Sequence, residues 1–80
     1  MDDTQRERAQ QSWELFVHEA PSRTVLAALR RILRVKRSEL EIVSRALPGV
    51  VRRGARVDLE DLDVRLREQG IRCELRRRTV

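Results

Sequence analysis

Aromatic residues are nearly absent: the 80 residues include no tyrosine, one tryptophan (Trp13) and one phenylalanine (Phe16). A surface that stacks nucleic-acid bases needs several rings, so this chain is poorly equipped for that work. Cysteine and histidine occur once each, as Cys73 and His18. One cysteine closes no internal disulfide, and one Cys with one His supplies too few ligands for a zinc site. The expected setting is therefore reducing and cytoplasmic, with no metal and no cofactor. No apolar run approaches the ~18 residues of a membrane span. The opening Met1-Asp2-Asp3-Thr4-Gln5-Arg6-Glu7-Arg8 lacks the apolar stretch of a signal peptide. Glycine is confined to Gly49, Gly54 and Gly70, which suit turns and helix ends rather than a phosphate-cradling loop. Lysine is reduced to Lys36, so nearly all positive charge is arginine, whose planar fork matches carboxylate or phosphate. Codon usage in a GC-rich genome produces the same bias.

What is present is charge and a legible hydrophobic pattern. Apolar residues make up 40% of the chain, enough for one modest core and against wholesale disorder. The net charge is +5 and its distribution is uneven. From Pro21 to Gly54 nine bases stand against two acids, a local charge of +7, whereas residues 1–20 hold five acids and two bases. A positive field so placed points to an acidic partner: nucleic acid, lipid or an acidic protein face.

Periodicity gives an element order of β-α-α-β-α-β. Residues 1–11 are polar and form an expected flexible tail, 12–77 the folded module, and 78–80 a basic tail. Trp13–His18 alternates as a strand, with Trp13, Leu15 and Val17 on one face and Glu14, Phe16 and His18 on the other. Ser22 caps a helix whose inner side is Val25, Leu26, Leu29, Ile32 and Leu33. Ser38-Glu39-Leu40-Glu41 fits a capping box that starts a second helix, with Leu40, Val43 and Leu47 inward and Pro48 as its stop. Gly49–Val57 contains a strand. Val51, Ala55 and Val57 would share its inner face with Arg53, which predicts a bulge at Arg53-Gly54. Asp58 caps a third helix with a Leu59, Leu62, Leu66 stripe, and Gly70 ends it. The last strand places Ile71, Cys73 and Leu75 inward and Arg72, Glu74 and Arg76 outward. The fold class is α+β: a three-stranded antiparallel sheet covered on one face by three helices.

The stretch Ser22-Arg23-Thr24-Val25-Leu26-Ala27-Ala28-Leu29-Arg30 resembles the first helix of the C-terminal domain of the bacterial large-subunit ribosomal stalk protein. The pattern continues without a gap to Gly54, including Pro48, and resumes over Asp58–Gly70 with one deletion and over Ile71–Leu75. It covers about three-quarters of the chain and rests on spacing more than identity. The resemblance implies the same three-stranded sheet and three helices. It also implies a role for the first helical hairpin in recruiting a protein partner, with Leu26 and Arg30 on that surface. Ser22, Ala27 and Glu41 stand where the family has lysines, and Arg34-Val35-Lys36 replaces its glycine-leucine-glycine turn, as in a divergent copy used elsewhere. The architecture is also similar to that of the Clp protease adaptor. Its acidic pocket motif would fall at His18-Glu19-Ala20-Pro21, which does not carry it.

Catalysis needs convergent polar groups, and the strand phases set Cys73 inward and His18 outward, so the chain is expected to be non-catalytic and to take no small-molecule substrate. The candidate partner-binding residues are Leu26, Arg30, Arg31, Arg34, Val35 and Arg37: the arginines pair with acidic side chains, and Leu26 and Val35 supply apolar contact. A solvated face with no partner is the plainer alternative for this ridge. A possible second surface is the uncovered sheet face, with Phe16, Arg52, Arg56 and Arg72. An acidic protein is the expected partner. Nucleic acid, bound by the same ridge with Arg76-Arg77-Arg78, is the alternative. No membrane contact is expected, and the chain should be a monomer or weak homodimer.

Overall fold

The central strand is also the first: β1 (Trp13–Val17) buries Leu15 and Val17 completely while Glu14 and Phe16 alternate outward. The computed structural model of the chain describes residues 13–78, so the expected tail over 1–11 and the last two residues lie outside the description. After β1 come α1 (Arg23–Leu33), a 3-10 turn (Arg37–Glu39), α2 (Leu40–Ala46), β2 (Gly49–Gly54), α3 (Arg56–Glu68) and β3 (Cys73–Arg77). The sheet order is β2-β1-β3, with both pairings antiparallel. The three helices cover one face, giving the α+β architecture that the periodicity predicts.

Each helix is placed by its buried stripe. In α1, Val25, Ala28, Leu29 and Leu33 are buried, and the Ser22 hydroxyl accepts from the Val25 amide at 3.2 Å as its N-cap. In α3, Leu59 and Leu66 are buried over the sheet, and the helix ends in a Schellman turn. There the Gly70 amide bonds the Arg67 carbonyl at 2.9 Å and the Ile71 amide bonds the Leu66 carbonyl at 3.1 Å. Gly70 sits at φ +78, a conformation that side-chain-bearing residues rarely adopt. Burying side chains of this size contributes about 1.5–3 kcal/mol each, which is the main support for a domain this small.

Three expected local features differ. Ser38 lies inside the 3-10 turn and makes no cap; α2 begins at Leu40 without a side-chain capping bond, and Glu41 instead meets Arg45 at 2.7 Å. The second strand ends at Gly54, and α3 starts at Arg56 with Ala55 as its extended N-cap residue, so Asp58 is a first-turn acid rather than the cap. Its carboxylate still favours the positive end of the helix from that position. Val57 consequently faces solvent on a helix instead of the core from a strand.

The bulge comes earlier than expected. Leu15 pairs with Arg52 and Phe16 with Val50, which leaves Val51 as the extra residue. Bulging there keeps Val51 packed against the core and turns Arg53 to the outer face, opposite Glu14. It also puts Arg52 in phase with Leu15, on the helix-covered side.

Candidate functional site

The first helical hairpin, α1 with the 3-10 turn and α2, holds the predicted ridge. From Arg23 to Glu39 there are six bases (Arg23, Arg30, Arg31, Arg34, Lys36 and Arg37) and one acid (Glu39), a local charge of +5. Among the described residues none of the six forms an ion pair; Arg31 donates to the Gln69 side chain at 3.2 Å. The helical register of α1 puts Arg30 and Arg31 on its exposed side. Arg34 is the C-cap of α1 and sits at φ 56. That left-handed conformation costs a side-chain-bearing residue about 1–2 kcal/mol, and glycine is the residue that takes it without the cost. Leu26 and Val35 are half-buried beside this charge, and Ile42, which sequence reasoning passed over, is 70% exposed on α2. The signal for Ile42 was its phase: it is neither Val43 nor in register with Leu40 and Leu47, so a helix turns it outward.

The outer sheet face departs from expectation. Phe16 is there, half-buried, with the Arg76 guanidinium 3.8 Å above its ring and the His18 ring 4.6 Å away. Arg52 is not: it reaches under the sheet edge to donate to the Leu33 carbonyl at 2.7 Å, satisfying one of the open carbonyls at the end of α1. Arg56 is not there either, because it belongs to α3, where it lies 4.9 Å from the Trp13 ring and 2.7 Å from Glu60. The arginine that β2 does present to this face is Arg53.

Three arginines on or beside that face each meet a carboxylate, whereas Arg77 and Arg78 at the end of β3 form no ion pair among the described residues. Arg53 pairs with Glu14 at 3.1 Å, Arg72 with Glu19 at 2.9 Å, and Arg76 with Glu74 at 2.6 Å. Within these pairs three bases and three acids offset one another. Hydrogen bonding from Arg76, and then from His18, holds the Glu74 carboxyl below its ordinary value, and hydrogen bonding from Arg72 does the same for Glu19.

Cys73 and His18 occupy opposite sides of the sheet, as their phases predict. The Cys73 thiol is buried, 3.0 Å from the Asp63 Oδ1, and burial with that neighbour pushes its pKa up to about 12. A thiol so protonated is no nucleophile at neutral pH. Asp63 also holds Arg67, which donates to the Cys73 carbonyl at 3.0 Å, so the three residues tie α3 to β3. His18 Nε2 lies 3.0 Å from Glu74 on the other side. An open groove of about 630 Å³ runs past both residues, but Cys73 turns its thiol away toward Asp63. Among the described residues no group of three His, Cys, Asp or Glu side chains is placed to hold a metal ion, and no helix is long and apolar enough to cross a membrane. No protein-family model matches the chain, and no curated protein matches its sequence.

Proposed function

We propose that the chain is a non-catalytic interaction module that docks an acidic protein surface through its first helical hairpin. The observation that carries this reading is the contrast in pairing: the six bases of α1 and the turn after it form no ion pair among the described residues, while Arg53, Arg72 and Arg76 of the sheet face are each neutralised. Unpaired, exposed charge is available to a partner at little desolvation cost. Arg34 supports it further, since an arginine held where glycine would be cheaper indicates that its side chain has a use. Apolar Leu26, Val35 and Ile42 beside the charge suit a protein surface, which offers side chains to meet them, better than a phosphate backbone. The resemblance to the stalk C-terminal domain, a partner-recruiting module of bacteria, leans the same way, as does a cytoplasmic setting for a lone free thiol.

The test is charge reversal. Arg30→Glu with Arg34→Glu should weaken capture of an acidic protein partner by roughly tenfold or more while the circular dichroism spectrum stays unchanged. Capture that survives reversal would overturn the reading. Prey lost on nuclease treatment, with affinity falling log-linearly in salt, would replace it with nucleic-acid binding.

A further inference from the structure

The outward face of α3 has a composition that a plain surface helix avoids. Val57 is 70% and Val64 53% exposed. β-Branched residues are also among the weaker helix formers, so these two valines serve neither the core nor the helix. They alternate with acids: Val57, Asp61, Val64 and Glu68 follow the spacing i, i+4, i+7, i+11, on the side of α3 opposite Leu59 and Leu66. The helix as a whole carries five acids and three arginines. Glu68 forms no ion pair among the described residues, and Asp61 holds only the exposed, exchangeable Arg65 at 3.2 Å.

The outward face of the hairpin's first helix has the same spacing and the opposite charge. Arg23, Ala27 and Arg30 within α1, and Arg34 at its cap, are all exposed and stand at i, i+4, i+7 and i+11. Ala27 gives this stripe a shallow point where a neighbouring valine can seat. The helices are 11 and 13 residues long, so both stripes extend over about 16–20 Å. Two helices meet stripe to stripe when outward residues repeat at this spacing.

We propose that the α3 stripe receives the basic hairpin of a second copy of the chain, so that two copies exchanging this contact form a dimer. The inference rests on the reading of the hairpin as a dock for an acidic protein surface, and it names that surface. The acids of α3 meet Arg30 and Arg34, and the valines meet Ala27 and the arginine stems. Because the two stripes are different surfaces, each copy contributes one to the other, and two copies related by a two-fold axis satisfy both.

Sedimentation of the full chain from about 1 µM to about 1 mM, which brackets a weak association, tests this directly. The average mass should rise toward that of a dimer. It should fall again between about 0.1 M and about 1 M salt, as the screening length shortens from about 10 Å to about 3 Å. The hairpin variant Arg30→Glu/Arg34→Glu and the α3 variant Asp61→Arg/Glu68→Arg should each be monomeric, because each then faces itself with like charge. Mixed in equal amounts, they should associate again, since every contact in the mixed dimer joins opposite charges. A wild type that stays monomeric throughout, or variants whose mixture does not associate, overturns the inference. Val57→Ser/Val64→Ser, which leaves every charge in place, should weaken association by roughly tenfold, and unchanged association would remove α3 from the contact. A monomeric wild type whose hairpin still captures a foreign acidic protein sinks the self-association and leaves the proposed function standing. Loss of both sinks the two together.

Discussion

Arginine crowds both the first helical hairpin and the outer face of the sheet, yet the two surfaces present different fields. On the sheet face, Arg53, Arg72 and Arg76 each lie against a glutamate supplied by β1, β3 or the loop after β1. Along α1 and the turn after it, six bases share one acid, Glu39, and none of the six is paired among the described residues; only in α2 does a base, Arg45, meet an acid, Glu41. Strands bring opposite charges from distant sequence positions side by side, as with Glu14 and Arg53. A short helix followed by a tight turn offers neighbours only from its own segment, and that segment is almost purely basic. A residue count therefore overstates the field of one surface and describes that of the other fairly.

The comparison breaks most severely at the core beneath it. Leu29 is fully buried under the hairpin, and Leu29→Ala should cost about 2–5 kcal/mol in urea unfolding. Arg30→Glu, one residue along and exposed, should change the same midpoint little, because substitutions away from the core act within about 0.5 kcal/mol. Equal effects would mean that the hairpin charges are structural.

The sheet face can be made to resemble the hairpin. Glu14→Gln, Glu19→Gln and Glu74→Gln together release Arg53, Arg72 and Arg76. The variant should elute from a heparin column at clearly higher salt than the wild type, since freed cations bind polyanions by releasing counterions. Unchanged elution would show that pairing does not mute this face.

A subtler change separates strain from charge on the hairpin. Arg34→Gly should stabilise the fold by about 1 kcal/mol, because glycine takes φ 56 without steric cost, while partner capture weakens. A loss of stability would place the Arg34 side chain among the structural groups.

The smallest effect concerns pH. The Glu19 and Glu74 carboxyls are held below their ordinary value of 4.5, so the stability they add is present above that value and is lost as pH falls below it. The acid slope of the urea midpoint should flatten in Glu19→Gln/Glu74→Gln and be unaffected by Arg30→Glu, which touches neither pair.

Much of the fold was legible along the chain, and particular residues show why. Leu15 and Val17 alternate, Val25, Leu29 and Leu33 follow helical spacing, and Gly70 stands at a helix end; each depends on neighbours within a turn or two. The misplaced features share one cause. The capping box at Ser38, the cap at Asp58 and the bulge at Arg53-Gly54 all depended on where the chain changes direction, which packing decides. Val51 bulges because the core claims its side chain and Glu14 claims Arg53 from across the sheet. The second surface was misread for the same reason. A bulge between Phe16 and Leu15 exchanges the faces of Arg52 and Arg53, and the start of α3 takes Arg56 off the sheet.

The sequence by itself determined the order of elements, the inward stripes and the concentration of arginine between Pro21 and Gly54, because hydrophobic period and charge are properties of consecutive residues. Only the tertiary structure decided which arginines are free. Ion pairs on a sheet join residues up to 53 positions apart, as Glu19 and Arg72 do, and a one-residue bulge decides which side chain arrives to meet them.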